Sequence, residues 1–93
     1  MSEYVTVETR PTDDPNALEI VTNQTLTDAG AEVYNSPEEA DQGSPIAQML
    51  FYGVEGIAAL TITHHTLTIT RRPDVPWESL VDDVRDALRD FFL

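Results

Sequence analysis

The chain has 93 residues, of which 17 are acidic and 5 basic, for a formal net charge of −12 at pH 7. This length predicts a single domain, and the negative charge disfavours nucleic acid and anionic membranes as partners. Cysteine is absent, which excludes disulfides, a thiolate nucleophile and thiolate metal ligands within these residues.

The first third of the chain has the pattern of a β-hairpin. Tyr4–Thr9 alternates apolar and polar residues, and Ala17–Thr22 is short, β-branched and bounded by turn residues, as expected for two strands. The prolines and aspartates of RPTDDPN, which lies between them, predict a long loop. The segment 23–34 stays open, because it could be irregular or could include a short edge strand.

Two Ser-Pro pairs mark the starts of helices. Ser36–Pro37 opens a single turn, with Glu39 placed for a capping box. Ser44–Pro45 opens a longer helix, which Gly53 could end by adopting a left-handed conformation.

The segment TITHHTLTIT predicts a second hairpin with His64 and His65 as its turn. In this register Ile62 faces Leu67, so that apolar side chains meet apolar ones along both strands. A slip of one residue would pair threonine with isoleucine or leucine throughout, so the pattern favours this register. A four-residue loop in the same register is the alternative.

The C-terminal segment predicts an amphipathic helix with a broad apolar face. Pro76 suits its first position, and Asp74 and Glu78 lie near its positive N-terminal end. The apolar residues at helical spacing are Trp77, Leu80, Val81, Val84, Ala87, Leu88 and Phe91.

This order of elements predicts an α+β domain with two layers. A sheet of about four antiparallel strands in the order ββαββα would carry both helices on one face, and the threonine side of the second hairpin would face solvent.

No catalytic, cofactor or metal site is predicted. His64 and His65 could capture a metal, but no spacing rule places Glu55 or Asp74 as further ligands, so a solvated turn is favoured. The acidic neighbours Asp82–Asp83 do not face each other on a helix. The glycine patterns of nucleotide-binding loops are missing, and an enzyme is therefore the least supported class.

Three segments together resemble the N-terminal domain of Nfu/NifU-type iron–sulfur cluster scaffold proteins, over about Tyr4–Leu93. They are DPNALEI, NSPEEADQGSPIAQMLFYGVEGI and LTITRRPDVPWESLVDDVRDAL. Asp14 and Glu19 replace the asparagine and lysine common in the family, in keeping with the acidic, lysine-free composition. The resemblance implies a sheet of about four antiparallel strands with two helices.

The resemblance also implies a role in iron–sulfur cluster assembly. In the longer scaffold proteins a following domain supplies the Cys-x-x-Cys that holds the cluster, and this chain ends without it. We therefore expect a non-catalytic accessory domain that docks a cysteine-bearing scaffold or recipient apoprotein and binds no cofactor itself. A general protein-interaction domain outside this pathway is the alternative. The predicted partner-binding residues are Asp14, Pro15, Asn16, Phe92 and Leu93.

The acidic surface has two interpretations. It could be a docking face for a basic partner, or it could adapt the protein to very high salt, where screening removes the self-repulsion. Because the acids are spread along the chain, salt adaptation is favoured. With no signal-peptide pattern and no long apolar run, we expect a soluble cytoplasmic protein, as a monomer or weak dimer, that binds neither nucleic acid nor membrane.

Overall fold

An antiparallel sheet forms one layer of the protein, and helices form the other. The computed structural model describes residues 5–28 and 30–92. Within these ranges the strands are β1 (Val7–Pro11), β2 (Ala17–Thr22), β3 (Glu32–Tyr34), β4 (Ile57–Ile62) and β5 (Thr66–Arg71), and the helices are α1 (Pro37–Ala40), α2 (Pro45–Gly53) and α3 (Trp77–Phe92). The strand order across the sheet is β1-β2-β5-β4-β3, with every neighbouring pair antiparallel.

The predicted α+β class is confirmed, with one strand more than expected. The additional strand is β3, which pairs with β4 and places Tyr34 opposite Leu60. It lies in the segment 23–34 that the sequence left open, because three residues are too few to show a clear alternation. In the described residues the sheet therefore has five strands and is accompanied by three helices rather than two.

The first strand begins and ends later than predicted. β1 runs from Val7 to Pro11, whereas the pattern suggested Tyr4–Thr9, of which Tyr4 lies outside the described residues. Pro11 pairs with Leu18 and is tolerated because β1 is an edge strand, where a missing N–H need not break the ladder. The buried Val5 precedes the strand.

The predicted register of the second hairpin is confirmed. Ile62 pairs with Leu67, and the Thr63 N–H donates to the Thr66 carbonyl at 2.9 Å, so His64 and His65 form a two-residue turn. No non-glycine residue in the described ranges has a positive φ. The turn is therefore not of the primed type in which Asn-Gly is favoured.

The serine caps are present, but Gly53 ends α2 without the left-handed conformation that was predicted for it. The Ser36 and Ser44 side chains accept from the third amide of their helices, each at 3.4 Å. Gly53 is the last residue of α2, and Val54 follows it in an extended conformation. After α2 the left-handed position is Gly56, with φ of 101°, at the entry to β4.

One face of the sheet packs against the helices to form the core. Side chains on paired strands alternate, so Ile20, Leu67 and Ile62 share the inner face and are almost fully buried. α3 contributes Leu80, Val84 and Leu88 to the same core. On the outer face of the sheet the threonines of β5 are half-buried. Phe91, which was predicted on the apolar face of α3, is 41% exposed.

Candidate functional site

The loop between β1 and β2 is held in shape by its own hydrogen bonds. The Thr12 hydroxyl accepts from the Asp14 N–H at 3.1 Å and lies 2.9 Å from the Ala17 carbonyl oxygen. The Asp14 carboxylate accepts from the Asn16 N–H at 2.8 Å, and its carbonyl accepts from the Ala17 N–H at 3.0 Å. These are the local turns that threonine and aspartate favour, so the sequence TDDPNA itself favours this loop conformation.

Arg71, at the end of β5, ties this loop to the segment before α3. Its Nε donates to Asn16 Oδ1 at 3.3 Å and its Nη1 to the Val75 carbonyl at 2.9 Å. Its guanidinium carbon lies 5.1 Å from the centre of the Trp77 ring, within the range of a cation–π contact. Among the described residues the one ion pair is Arg85–Asp82. Arg71 therefore interacts with neutral hydrogen-bond acceptors and an aromatic ring rather than with a carboxylate.

Trp77 completes the connection from the helix side. As the first residue of α3, it donates its indole N–H to the Pro15 carbonyl at 3.1 Å. The ring of Pro15 and the side chain of Asp14 remain exposed. We call Asp14, Pro15, Asn16, Arg71 and Trp77 the loop–helix clamp, because it presents a rigid, exposed loop beside the start of α3.

A groove adjoins the clamp and runs between α3 and strands β1 and β2. It has a volume of about 500 Å³ and is open to solvent. We call it the α3–sheet groove. Its apolar floor and charged rim comprise Leu18, Trp77 and Val81, with Glu78, Asp82 and Arg85.

The chemistry of the clamp and groove suits contact with another protein. Tryptophan and arginine are enriched at interfaces, and a fixed loop loses little conformational freedom on binding. The groove combines a small apolar floor with a rim that carries both signs of charge. None of its lining residues is a serine, histidine or lysine, the usual nucleophiles and bases of acyl-transfer sites.

The structure brings three of the predicted partner-binding residues together and separates a fourth from them. Asp14, Pro15 and Asn16 form the exposed loop of the clamp. Phe92 lies at the other end of α3, whose 16 residues span about 24 Å, and it packs partly against the core. Leu93 lies outside the described residues.

Sequence reasoning did not select Arg71 as a site residue. The motif RRP before the helix was a visible signal, but the side chain's contact with Asn16 joins residues 55 positions apart. Local patterns do not report such contacts. Trp77 was likewise placed only among the apolar residues of the last helix, and its bond to Pro15 spans 62 positions.

The two histidines contribute through their backbone. Their side chains are exposed, whereas the His64 carbonyl accepts from the Leu26 N–H at 2.7 Å and the His65 carbonyl from the Thr22 N–H at 2.8 Å. Within residues 5–28 and 30–92, no group of three or more histidine or acidic side chains is placed to hold a metal ion. The turn therefore anchors the segment that follows β2.

A polar cluster at the opposite edge of the sheet connects β3 to α2. The Tyr34 hydroxyl donates to Glu32 at 2.5 Å and accepts from the Ser44 N–H at 3.2 Å. Burial acts to raise the pKa of Glu32, but side-chain hydrogen bonds from Thr27, Tyr34 and Ser44 outweigh it and leave the pKa below its ordinary value. A Cβ on Gly43 would lie 2.7 Å from Tyr34 Cζ, so any larger residue at this position would displace the Tyr34 ring.

No helix in the described part of the chain is both long enough and apolar enough to cross a membrane.

Solved structures share this fold. The NMR structure of a NifU-like protein from Saccharomyces cerevisiae has a TM-score of 0.75 and 26% sequence identity, over 94% of this chain and 77% of that chain. The crystal structure of protein SAV1430 from Staphylococcus aureus has a TM-score of 0.69 over 92% of this chain and 99% of that one. Its 17% identity shows a common fold alone.

Similarity at the level of sequence points to the same family. The chain is 24% identical over 86 residues to NifU-like protein 4, mitochondrial, of Arabidopsis thaliana, which covers 92% of this chain but 30% of the relative. It therefore spans less than a third of the length of that curated relative. The family model described as "Scaffold protein Nfu/NifU N terminal" matches residues 7–93, and the chain belongs to this family.

Proposed function

We propose that this chain is a non-catalytic docking domain in iron–sulfur cluster assembly, which binds a cysteine-bearing scaffold or recipient protein without ligating the cluster. The single observation that carries the proposal is the family match over residues 7–93. Because the 93 residues contain no cysteine and thiolates are the usual cluster ligands, the ligands would come from the partner.

The loop–helix clamp supports a docking role at one defined place. Its exposed residues, Asp14 and Pro15, stand on a backbone fixed by Arg71 and Trp77. A rigid loop beside an apolar groove is a low-cost binding surface, since little side-chain or loop entropy is lost when a partner binds. We assign the partner contact to this loop and to the adjoining α3–sheet groove.

Titration of the chain against a purified Cys-x-x-Cys scaffold domain, with and without its cluster, tests the proposal. Isothermal calorimetry would measure the affinity, and backbone NMR shifts would locate the contact. We expect Glu78→Arg, on the exposed rim of the groove, to weaken binding by about fivefold or more. Glu39→Arg, which makes the same charge change on α1, is the matched control and should have little effect.

Two results would count against this function. One is the absence of any binding to the scaffold domain in either cluster state at low and at molar salt. The other is co-purification, at native salt, of partners that include no cluster protein, which would favour a general interaction domain. Equal weakening by Glu78→Arg and Glu39→Arg would reject the groove as the contact surface.

A further inference from the structure

A partly buried apolar strip that ends in the exposed Phe91 lies between α2 and α3, on the side of α3 that faces away from the α3–sheet groove. Met49, Ala87 and Phe91 form the strip, at the base of a groove of about 560 Å³. The Phe91 ring makes an edge contact with Phe92 at 5.1 Å between centroids. Because Phe92 packs against the core, this contact holds Phe91 in position at the surface. We call this feature the α2–α3 groove.

Carboxylates surround the strip. They are Glu55, Asp83, Asp86 and Asp90, and no arginine or histidine is among the residues that line the groove. The three aspartates share one side of α3 at spacings of three and four residues, at which like charges repel. Asp90 also lies in the last turn of α3, where the negative end of the helix dipole disfavours an acid.

The stability of the free chain does not account for this arrangement. Acidic residues that only solvate the surface in high salt would not require Phe91 to be left exposed beside them. Conversely, an apolar contact alone would not require four carboxylates around it. A ligand that brings both an apolar side chain and positive charge would cover the strip and neutralise the rim.

We propose that the α2–α3 groove binds a cationic amphipathic segment of a partner protein. An apolar side chain of that segment lies on Met49 and Phe91, and flanking arginines or lysines pair with the carboxylates. A second copy of this chain fits poorly, because it would bring a further net charge of −12 to an already negative surface. This site lies beyond the proposed function, since the clamp and the α3–sheet groove contribute no residue to it.

The test uses the full chain and a labelled peptide in which leucines are flanked by arginines. Fluorescence anisotropy at low salt should show binding that weakens as potassium chloride is added. Two control peptides separate the contributions: one replaces the arginines with glutamine and the other replaces the leucines with serine. We expect both to bind at least about fivefold more weakly.

Variants of the chain locate the site. Gly53 lines the groove and its added Cβ would meet open space, so Gly53→Arg adds a positive charge there with no clash at Cβ, and Gly53→Ala is its control. Asp86→Asn with Asp90→Asn reduces the rim charge. Glu38→Gln with Glu39→Gln makes the same charge change on α1. We expect the groove variants to weaken peptide binding about fivefold or more and both controls by less than about twofold.

Several outcomes would overturn the proposal. Equal weakening by the two double variants would show that only the overall charge attracts the peptide. Undiminished binding of the serine peptide would exclude a role for the apolar strip. Undiminished binding to Gly53→Arg, with melting and circular dichroism showing a native fold, would place the peptide elsewhere.

Discussion

At the scale of single residues, Glu32 links stability to pH. Its folded pKa lies below its ordinary value of 4.5, so the folded state favours the ionised form. This stabilisation is therefore present above about pH 4.5 and is lost as the pH falls through the lower folded pKa.

We expect Glu32→Gln to lower the free energy of unfolding at neutral pH, and the difference from the original chain to shrink as the pH falls below 4.5. Urea unfolding at a series of pH values measures this difference. Glu8→Gln, on the exposed face of an edge strand, is the control for the general effect of removing one acid. If the difference in free energy of unfolding between Glu32→Gln and the original chain stays constant down to pH 3, Glu32 acts through packing alone.

Two glycines with different surroundings provide a second test at this scale. An added methyl group at Gly43 would collide with Tyr34, whereas one at Gly53 would meet open space. Gly43→Ala should destabilise the fold by about 1–3 kcal/mol through overpacking. Gly53→Ala should be neutral or stabilising by up to about 1 kcal/mol, because alanine favours the helix. Thermal unfolding distinguishes the two, and equal effects would contradict the described position of Tyr34.

At the scale of elements, the loop–helix clamp holds the β1–β2 loop, the end of β5 and the start of α3 together through Arg71. Removal of its side-chain hydrogen bonds leaves the acceptors on Asn16 and Val75 without their donor. Because hydrogen bonds to charged groups contribute about 1.5–3 kcal/mol, Arg71 should matter more than its exposed neighbour.

We expect Arg71→Met to lower the free energy of unfolding by about 1–3 kcal/mol. The matched control is Arg72→Met, which removes the same charge from an exposed side chain and should change stability by no more than about 0.5 kcal/mol. Urea unfolding followed by circular dichroism measures both. If the two variants unfold at the same midpoint, the clamp makes no net contribution to the fold.

At the scale of the whole molecule, the net charge of −12 leads to different expectations for the two interpretations of the acidic surface. If it is an adaptation to brine, folding brings like charges together and salt must offset the repulsion. Salt can do so because the screening length falls from about 10 Å at 0.1 M to about 3 Å at 1 M. If it is a docking surface, the free chain should be stable in dilute buffer and salt should act on partner binding.

We expect the urea midpoint, followed by Trp77 fluorescence, to rise steeply from low to molar potassium chloride. Urea is uncharged and so leaves the ionic strength under control. A triple variant should make the urea midpoint depend less steeply on salt, because it reduces the net negative charge. Its substitutions are Asp83→Asn, Asp86→Asn and Asp90→Asn. A midpoint that stays flat for the original chain would reject the brine adaptation and favour the docking interpretation.

A second whole-molecule prediction concerns the cluster itself. Incubated with iron and sulfide under reducing conditions, the chain alone should develop no stable visible absorption and retain no stoichiometric iron, because it offers no thiolate. A Cys-x-x-Cys scaffold domain treated in parallel is the positive control. A stable chromophore on the chain alone would contradict the non-ligating role.

Elements whose patterns are local could be predicted from the sequence. The alternation in TITHHTLTIT was sufficient to predict the pairing of Ile62 with Leu67, because a slip would turn one strand over. The caps at Ser36 and Ser44 were equally visible, since each side chain bonds to an amide three residues away. These features depend on neighbours in the chain, which is why they could be predicted.

How these elements meet depends on contacts between residues far apart in the chain. β3 is too short to have a period and is stabilised by pairing with β4. Arg71 and Trp77 meet the loop across 55 and 62 residues, and the distance from that loop to Phe92 depends on how α3 lies on the sheet. Phe91 lies on the predicted apolar face and is nevertheless exposed, because burial is set by neighbours in space rather than by position on a helical wheel.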